Sequence, residues 1–308
     1  MAFARSFSLA AVGWIALYLA VWAGSVALLA QAPGQGIEEP VMLFGIFGVV
    51  LPGVAWLLTR KAAPREVPVR RPALETGAVI AYLAIVYAGL FLGWGLSAIP
   101  EAFPENPAQE MVRSGAKILV HVVLPALLLA LLGARVAPLF RLGLGQRGFW
   151  LALLVLGGLL FALQVVASPS LKHISALPPT PELMAWAVPG TFLWLLLSVG
   201  LCEEFLFRAV LQSRLAAFLR SETGAVVLGA LLFGLAHAPG LFLRAGAGEF
   251  GAFDHPLHVA AYTVAVLSPT GLFFGLLWAR TRSLGLVVLL HVCVDFLPNL
   301  PEFVQVWR

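Results

Sequence analysis

Charge is what this sequence has least of. Asp, Glu, Lys and Arg make up 11% of its 308 residues, against about 25% in an average soluble domain. Lysine is almost absent: Lys61, Lys117 and Lys172 stand beside 16 arginines. Only two cysteines occur, Cys202 and Cys293, both within apolar stretches. No disulfide framework is implied, and both read as small buried hydrophobes. No repeat of 20–50 residues stands out. Strand-like alternation is missing too, since the apolar runs are apolar on all faces, which argues against a membrane β-barrel.

Hydrophobic residues fill the space left by charge, at 61% with a mean hydropathy of +0.96. Charge-free stretches of about 20 residues recur, the length that crosses a ~30 Å hydrocarbon core. The expected fold is all-α, a polytopic transmembrane helical bundle of eight or nine spans. They fall near 8–30, 40–59, 77–99, 117–138, 149–167, 186–213, 224–241, 258–279 and 284–299. The last ends at Pro298 and Pro301 and reads as short and partly inserted. Ala30-Gln31-Ala32 imitates a signal-peptide cleavage pattern, but 8–30 is too long for a signal core and reads as a retained helix.

Arg60, Lys61, Arg65, Arg70 and Arg71 crowd one loop. Arg135, Arg141, Arg147, Arg214, Arg220, Arg280 and Arg282 fall on the same side if the N-terminus is cytoplasmic. The opposite loops are poor in positive charge, as the positive-inside rule requires. The net charge of +4 therefore reflects cytoplasmic loops rather than nucleic-acid binding. The Arg-over-Lys and Ala/Leu bias suggests a G+C-rich bacterial genome, and the expected location is a bacterial plasma membrane.

Polar groups are unevenly placed. Residues 1–190 hold only scattered intramembrane ones, such as His121 and Gln164, and no recognised motif. Residues 191–300 hold three motifs and read as a catalytic membrane core, with 301–308 a tail. The motifs are Glu203-Glu204-Phe-Leu-Phe-Arg208, Phe233-Gly-Leu-Ala-His237 and His291-Val-Cys-Val-Asp295. A charged group at mid-membrane costs roughly 3 kcal/mol on insertion scales, so several are retained only where they converge on a polar site. These residue types bind a metal or activate water.

Spacing divides their roles. Adjacent helical residues point about 100° apart, so Glu203 and Glu204 cannot share one. Glu204 and Arg208 are i,i+4 neighbours able to form an ion pair, which leaves Glu203 as the chemically free acid. His291 and Asp295 share a face by the same spacing. The carboxylate there orients the imidazole, or both face a common ligand, or the two form a packing clamp. His237 gains weight only in company, because a lone histidine is more often a satisfied core residue.

Glu-Glu-x-x-x-Arg, Phe-x-x-x-His and His-x-x-x-Asp, in that order on successive membrane helices, resemble the CAAX-protease and bacteriocin-processing (Abi) family. The resemblance covers roughly 195–298 and includes Phe274-Gly-Leu-Leu-Trp-Ala-Arg-Thr-Arg-Ser-Leu284 before the third motif. It implies an endopeptidase acting on a membrane-associated protein or peptide, lipidated in the family's prenyl-protein members. It further implies Glu203 as the catalytic glutamate, His237 as its helper, and His291 with Asp295 as metal ligands or oxyanion stabilisers. The family often has Asn at the last position, and an ionised Asp295 can only accept hydrogen bonds. Zinc held by His237, His291 and Asp295, and a metal-free glutamate mechanism with Glu204 and Arg208 in support, both remain open.

Three other functions compete: a catalytically silent scaffold or immunity protein, a transporter, and a lipid-binding protein that does not cleave. A transporter's polar groups would spread along a pathway or recur in both halves, whereas these cluster in one. Asp254-His255-Pro-Leu-His258 reads as a turn and helix start rather than a metal site. Counting along the spans places Glu203 close to the cytoplasmic surface and His237 about 20 Å deep, with the site opening toward the cytoplasmic half.

Overall fold

A computed structural model describes residues 9–32, 36–63, 66–103, 107–177, 180–246 and 255–308. Among these, nine helices are long and apolar enough to cross a membrane, and no strand occurs. They are α1 (Leu9–Leu29), α2 (Glu38–Leu58), α3 (Pro72–Ala102), α4 (Pro107–Leu131), α5 (Phe149–Ala167), α6 (Pro181–Leu219), α7 (Glu222–Phe242), α8 (Pro256–Thr281) and α9 (Leu284–Trp307). Arg65 and Asp254 lie outside the described residues.

Several boundaries depart from those expected, three of which bear on the site. Helix α4 begins at Pro107 rather than 117, because its first turns hide their polar groups against one another. Glu110 is buried and accepts from Ser114 (3.2 Å), Arg113 (3.3 Å) and the Trp194 indole of α6 (3.1 Å). Helix α6 continues to Leu219 rather than 213. Helix α9 is not short: it runs through Pro298 and Pro301 to Trp307. The Gln164 carboxamide of α5 enters α9, donating to Cys293 O and accepting from Leu297 N, while the Asn299 side chain donates to Asp295 O. Side chains thus serve backbone groups that a proline-bearing helix strands.

Helices α6 to α9 form the centre. Helices α7 and α8 pack along their length, and Gly271 of α8 sits so close to Ala230 that a Cβ would lie 2.7 Å from its Cα. The five preceding helices each grip this centre. Tyr18 of α1 pairs with Ser268 at 2.9 Å, and Trp22 donates to Ala265 O at 2.9 Å. Arg280 of α8 donates to the Thr59 hydroxyl and carbonyl just past α2, both at 2.9 Å. Glu75 of α3 lies 3.4 Å from Arg214 of α6, both buried. One hydrophobic core, from Phe47 through Phe149 and Phe205 to Leu290, joins the two halves.

Candidate active site

Helix α6 is wound unevenly where it carries its acids. Wider π-helical turns at Leu196–Gly200 and Phe205–Gln212 bracket the α-helical Leu201–Glu204. Such turns often occur at functional sites, and α2, α3 and α4 carry them as well. Just before the acids, Gly200 faces α9 so tightly that a Cβ would stand 3.0 Å from Val288 O. That approach brings the Glu203–Glu204 pair against the His291 turn.

The longer α6 also corrects the depth. Glu203 lies sixteen residues from the helix end at Leu219, and His237 fifteen from the start of α7 at Glu222. At 1.5 Å per residue these are about 24 and 22 Å, so the two side chains are level. Ser283 at the start of α9 is fully buried and bonds to Leu142 O. His291 therefore reaches the same level from a helix that begins inside the protein.

At that level the side chains converge. Glu203 Oε2 lies 3.6 Å from His237 Nε2 and 3.8 Å from His291 Nε2. Asp295 Oδ2 is 3.3 Å from His291 Nε2. His237 Nδ1 sits 2.8 Å from Phe233 O, at the turn where helix Glu222–Ala236 gives way to Ala238–Gly246. A carbonyl only accepts, so Nδ1 carries hydrogen, and in the neutral form of the ring Nε2 would present a lone pair to Glu203. Two acceptors 3.6 Å apart have room for a water hydrogen on each, which is the arrangement for drawing protons off one water.

Glu204 is spent elsewhere. Its Oε2 lies 3.2 Å from Arg208 Nε, with both side chains fully buried, and its Oε1 meets His291 Nδ1 at 2.7 Å. The carboxylate that orients the imidazole at Nδ1 is thus Glu204, while Asp295 faces the other nitrogen. The Arg208 guanidinium lies over the Phe233 ring at 4.6 Å, and the His291 ring stacks on Phe274 at 5.0 Å. Phe233, the first residue of the second motif, also meets the His237 ring at 4.8 Å.

Six residues singled out by sequence, Glu203, Glu204, Arg208, His237, His291 and Asp295, form one connected cluster. Zinc fares differently. Among the described residues no group of three or more His, Cys, Asp or Glu is placed to hold a metal ion. His255 serves as the N-cap of α8, accepting from Leu257 N at 3.2 Å.

Sequence reasoning missed Lys117. Its Nζ lies 4.0 Å from Glu203 Oε1, although it reads as the charge that opens a span. The available signal was Lys117 and His121 at i,i+4 on an apolar helix. His121 Nδ1 indeed sits 2.8 Å from Lys117 O, and its buried ring meets Tyr87 and Phe91 edge-on.

Fold and site together define a polytopic helical membrane protein with a carboxylate–histidine cluster set among its helices. Residues 183–297, from the start of α6 to just beyond Asp295, match the model of a family described as "Type II CAAX prenyl endopeptidase Rce1-like". The match is partial and leaves residues 1–182 outside it. No curated protein and no solved structure matches the chain.

Proposed function

We propose that the protein is an intramembrane endopeptidase that hydrolyses a peptide bond of a membrane-associated protein. The observation that carries this reading is the convergence of His237 and His291, from two helices, onto one carboxylate oxygen of Glu203 on a third. Glu203 and His237 accept the two hydrogens of a water, leaving its lone pair free to attack the scissile carbonyl. The proton taken by Glu203 then passes to the leaving amine, so one group serves as base and then as acid. His291, locked by Glu204 at Nδ1, holds the opposite wall with Asp295. Arg208 anchors Glu204 from behind without reaching the substrate.

The substrate is a membrane-anchored polypeptide, prenylated as the family's description suggests. We read the positive loops as favouring a cytoplasmic N-terminus, with the protein in a bacterial plasma membrane. Profiling the termini of membrane-anchored proteins in wild-type and Glu203→Gln strains tests the activity. Glu203→Gln should abolish specific cleavages, lowering turnover by roughly 10²–10⁴-fold while the protein accumulates normally. Unchanged termini would sink the hydrolytic reading in favour of a silent scaffold. Zinc is tested in the same purified protein. A stoichiometric metal content, together with activity lost to a chelator and restored by Zn²⁺, would replace the glutamate mechanism with a zinc one.

A further inference from the structure

Peptide hydrolysis needs something the clustered motifs do not supply. As water adds to the carbonyl, negative charge develops on the carbonyl oxygen, and hydrogen-bond donors must already be aimed at it. The motif residues meet one another mainly with acceptors. Glu203 and Asp295 are carboxylates. His237 gives its Nδ1 hydrogen to Phe233 O and turns an acceptor inward. His291 is held between carboxylates, with Glu204 at Nδ1 and Asp295 at Nε2. Arg208 is fully buried behind Glu204.

Lys117 of α4 is a donor engaged, among the described residues, only in a long ion pair. Its Nζ has three hydrogens and, among the described residues, one partner: Glu203 Oε1 at 4.0 Å, too long for a hydrogen bond. The two oxygens of Glu203 are thus divided, Oε2 toward the histidines and Oε1 toward the lysine. The Lys117 side chain is 24% exposed, close to His237 at 31% and Asp295 at 27%, whereas His291 at 7% is more enclosed. Lys117, His237 and Asp295 therefore form the accessible rim of the site, with Glu203 between them. The lysine also lies outside residues 183–297, the segment that matches the family.

We propose that Lys117 is a catalytic residue of this site, donating a hydrogen bond to the scissile carbonyl oxygen as charge develops there. The assignment rests on the hydrolytic reading above. In the addition step the water oxygen bonds to the carbonyl carbon, one water proton passes to Glu203, and the C=O π pair moves onto the oxygen facing Lys117. In the collapse step that pair reforms the C=O bond, the C–N bond breaks, and Glu203 returns its proton to the nitrogen. Lys117 keeps its own protons throughout. It supplies the donor that an ionised Asp295 cannot.

The test uses the full chain in lipid nanodiscs with two fluorogenic peptides ending in a Cys-aliphatic-aliphatic-X sequence, one farnesylated and one not. Wild type, K117M, K117R and E203Q are compared by kcat and KM, with thermal unfolding as the folding control. K117M should lower kcat by about 10²–10³-fold, the cost of one oxyanion donor, with KM within about twofold of wild type. K117R, which restores N–H donors at the same place, should recover most of kcat. A lysine that only packs α4 against α6 would lower the unfolding midpoint without this kcat–KM split. Wild-type cleavage with K117M equally active, or impaired only in KM, overturns the assignment alone. Wild type and E203Q alike failing to cleave either peptide overturns the hydrolytic reading and the assignment with it.

Discussion

Glu204 shows how one buried charge is made tolerable. Its two oxygens serve Arg208 and His291, so neither acid nor guanidinium faces hydrocarbon alone. Breaking a buried pair from one side strands the other charge, at about 3–5 kcal/mol. Glu204→Gln and Arg208→Met should each destabilise by about that much. The double variant should cost less than the two added together, because no charge is stranded. Denaturant unfolding of the four proteins closes this cycle, and simple additivity would refute the coupling. The i,i+4 spacing of Glu204 with Arg208 and of His291 with Asp295 made both short-range contacts legible in the sequence. The Glu204–His291 contact was not, because it joins residues 87 positions apart and depends on how two helices are rotated.

At the scale of elements, the site is built by departures from regular helix. The π turns of α6, the bare Gly200 surface and the insertion of Gln164 into α9 each set where one functional side chain points. Gly200→Ala would place a Cβ 3.0 Å from Val288 O, with backbone rather than a flexible side chain in the way. Overpacking of this kind costs about 1–3 kcal/mol, and moving α6 off α9 separates Glu204 from His291. Cleavage should fall about tenfold or more, measured beside the unfolding midpoint. A Gly200→Ala protein with wild-type activity would show that the close approach does not position the site. Helix centres were readable from hydropathy, but the ends of α4, α6 and α9 were not. Polar groups that satisfy one another, and prolines whose neighbours receive side-chain hydrogen bonds, look like span ends in one dimension and continue in three.

In the whole molecule, helices α1–α5 complete what α6–α9 begin. Glu75 of α3 accepts from the backbone of Arg70 (2.9 Å) and Arg71 (3.0 Å) and pairs with Arg214 of α6. Glu75→Gln strands a buried guanidinium and should cost about 3 kcal/mol of stability. The cleavage rate of the folded protein should stay unchanged, since neither residue lies in the site. A stable variant in unfolding measurements would show that this pair does not tie the halves together.

The sequence by itself determined the class: apolar runs of spanning length made a helical membrane bundle, and charge too costly to scatter marked the helices that carry the site. Intrahelical spacing settled the local pairs. Only the tertiary structure decided that Lys117 joins Glu203, that Glu204 rather than Asp295 holds His291 Nδ1, and that α9 survives its prolines. The reason is the solvent. Lipid is as apolar as a protein interior, so hydropathy carries no signal of which face turns inward. Helix rotation, height and partner are set by packing and by the few polar groups that must find one another.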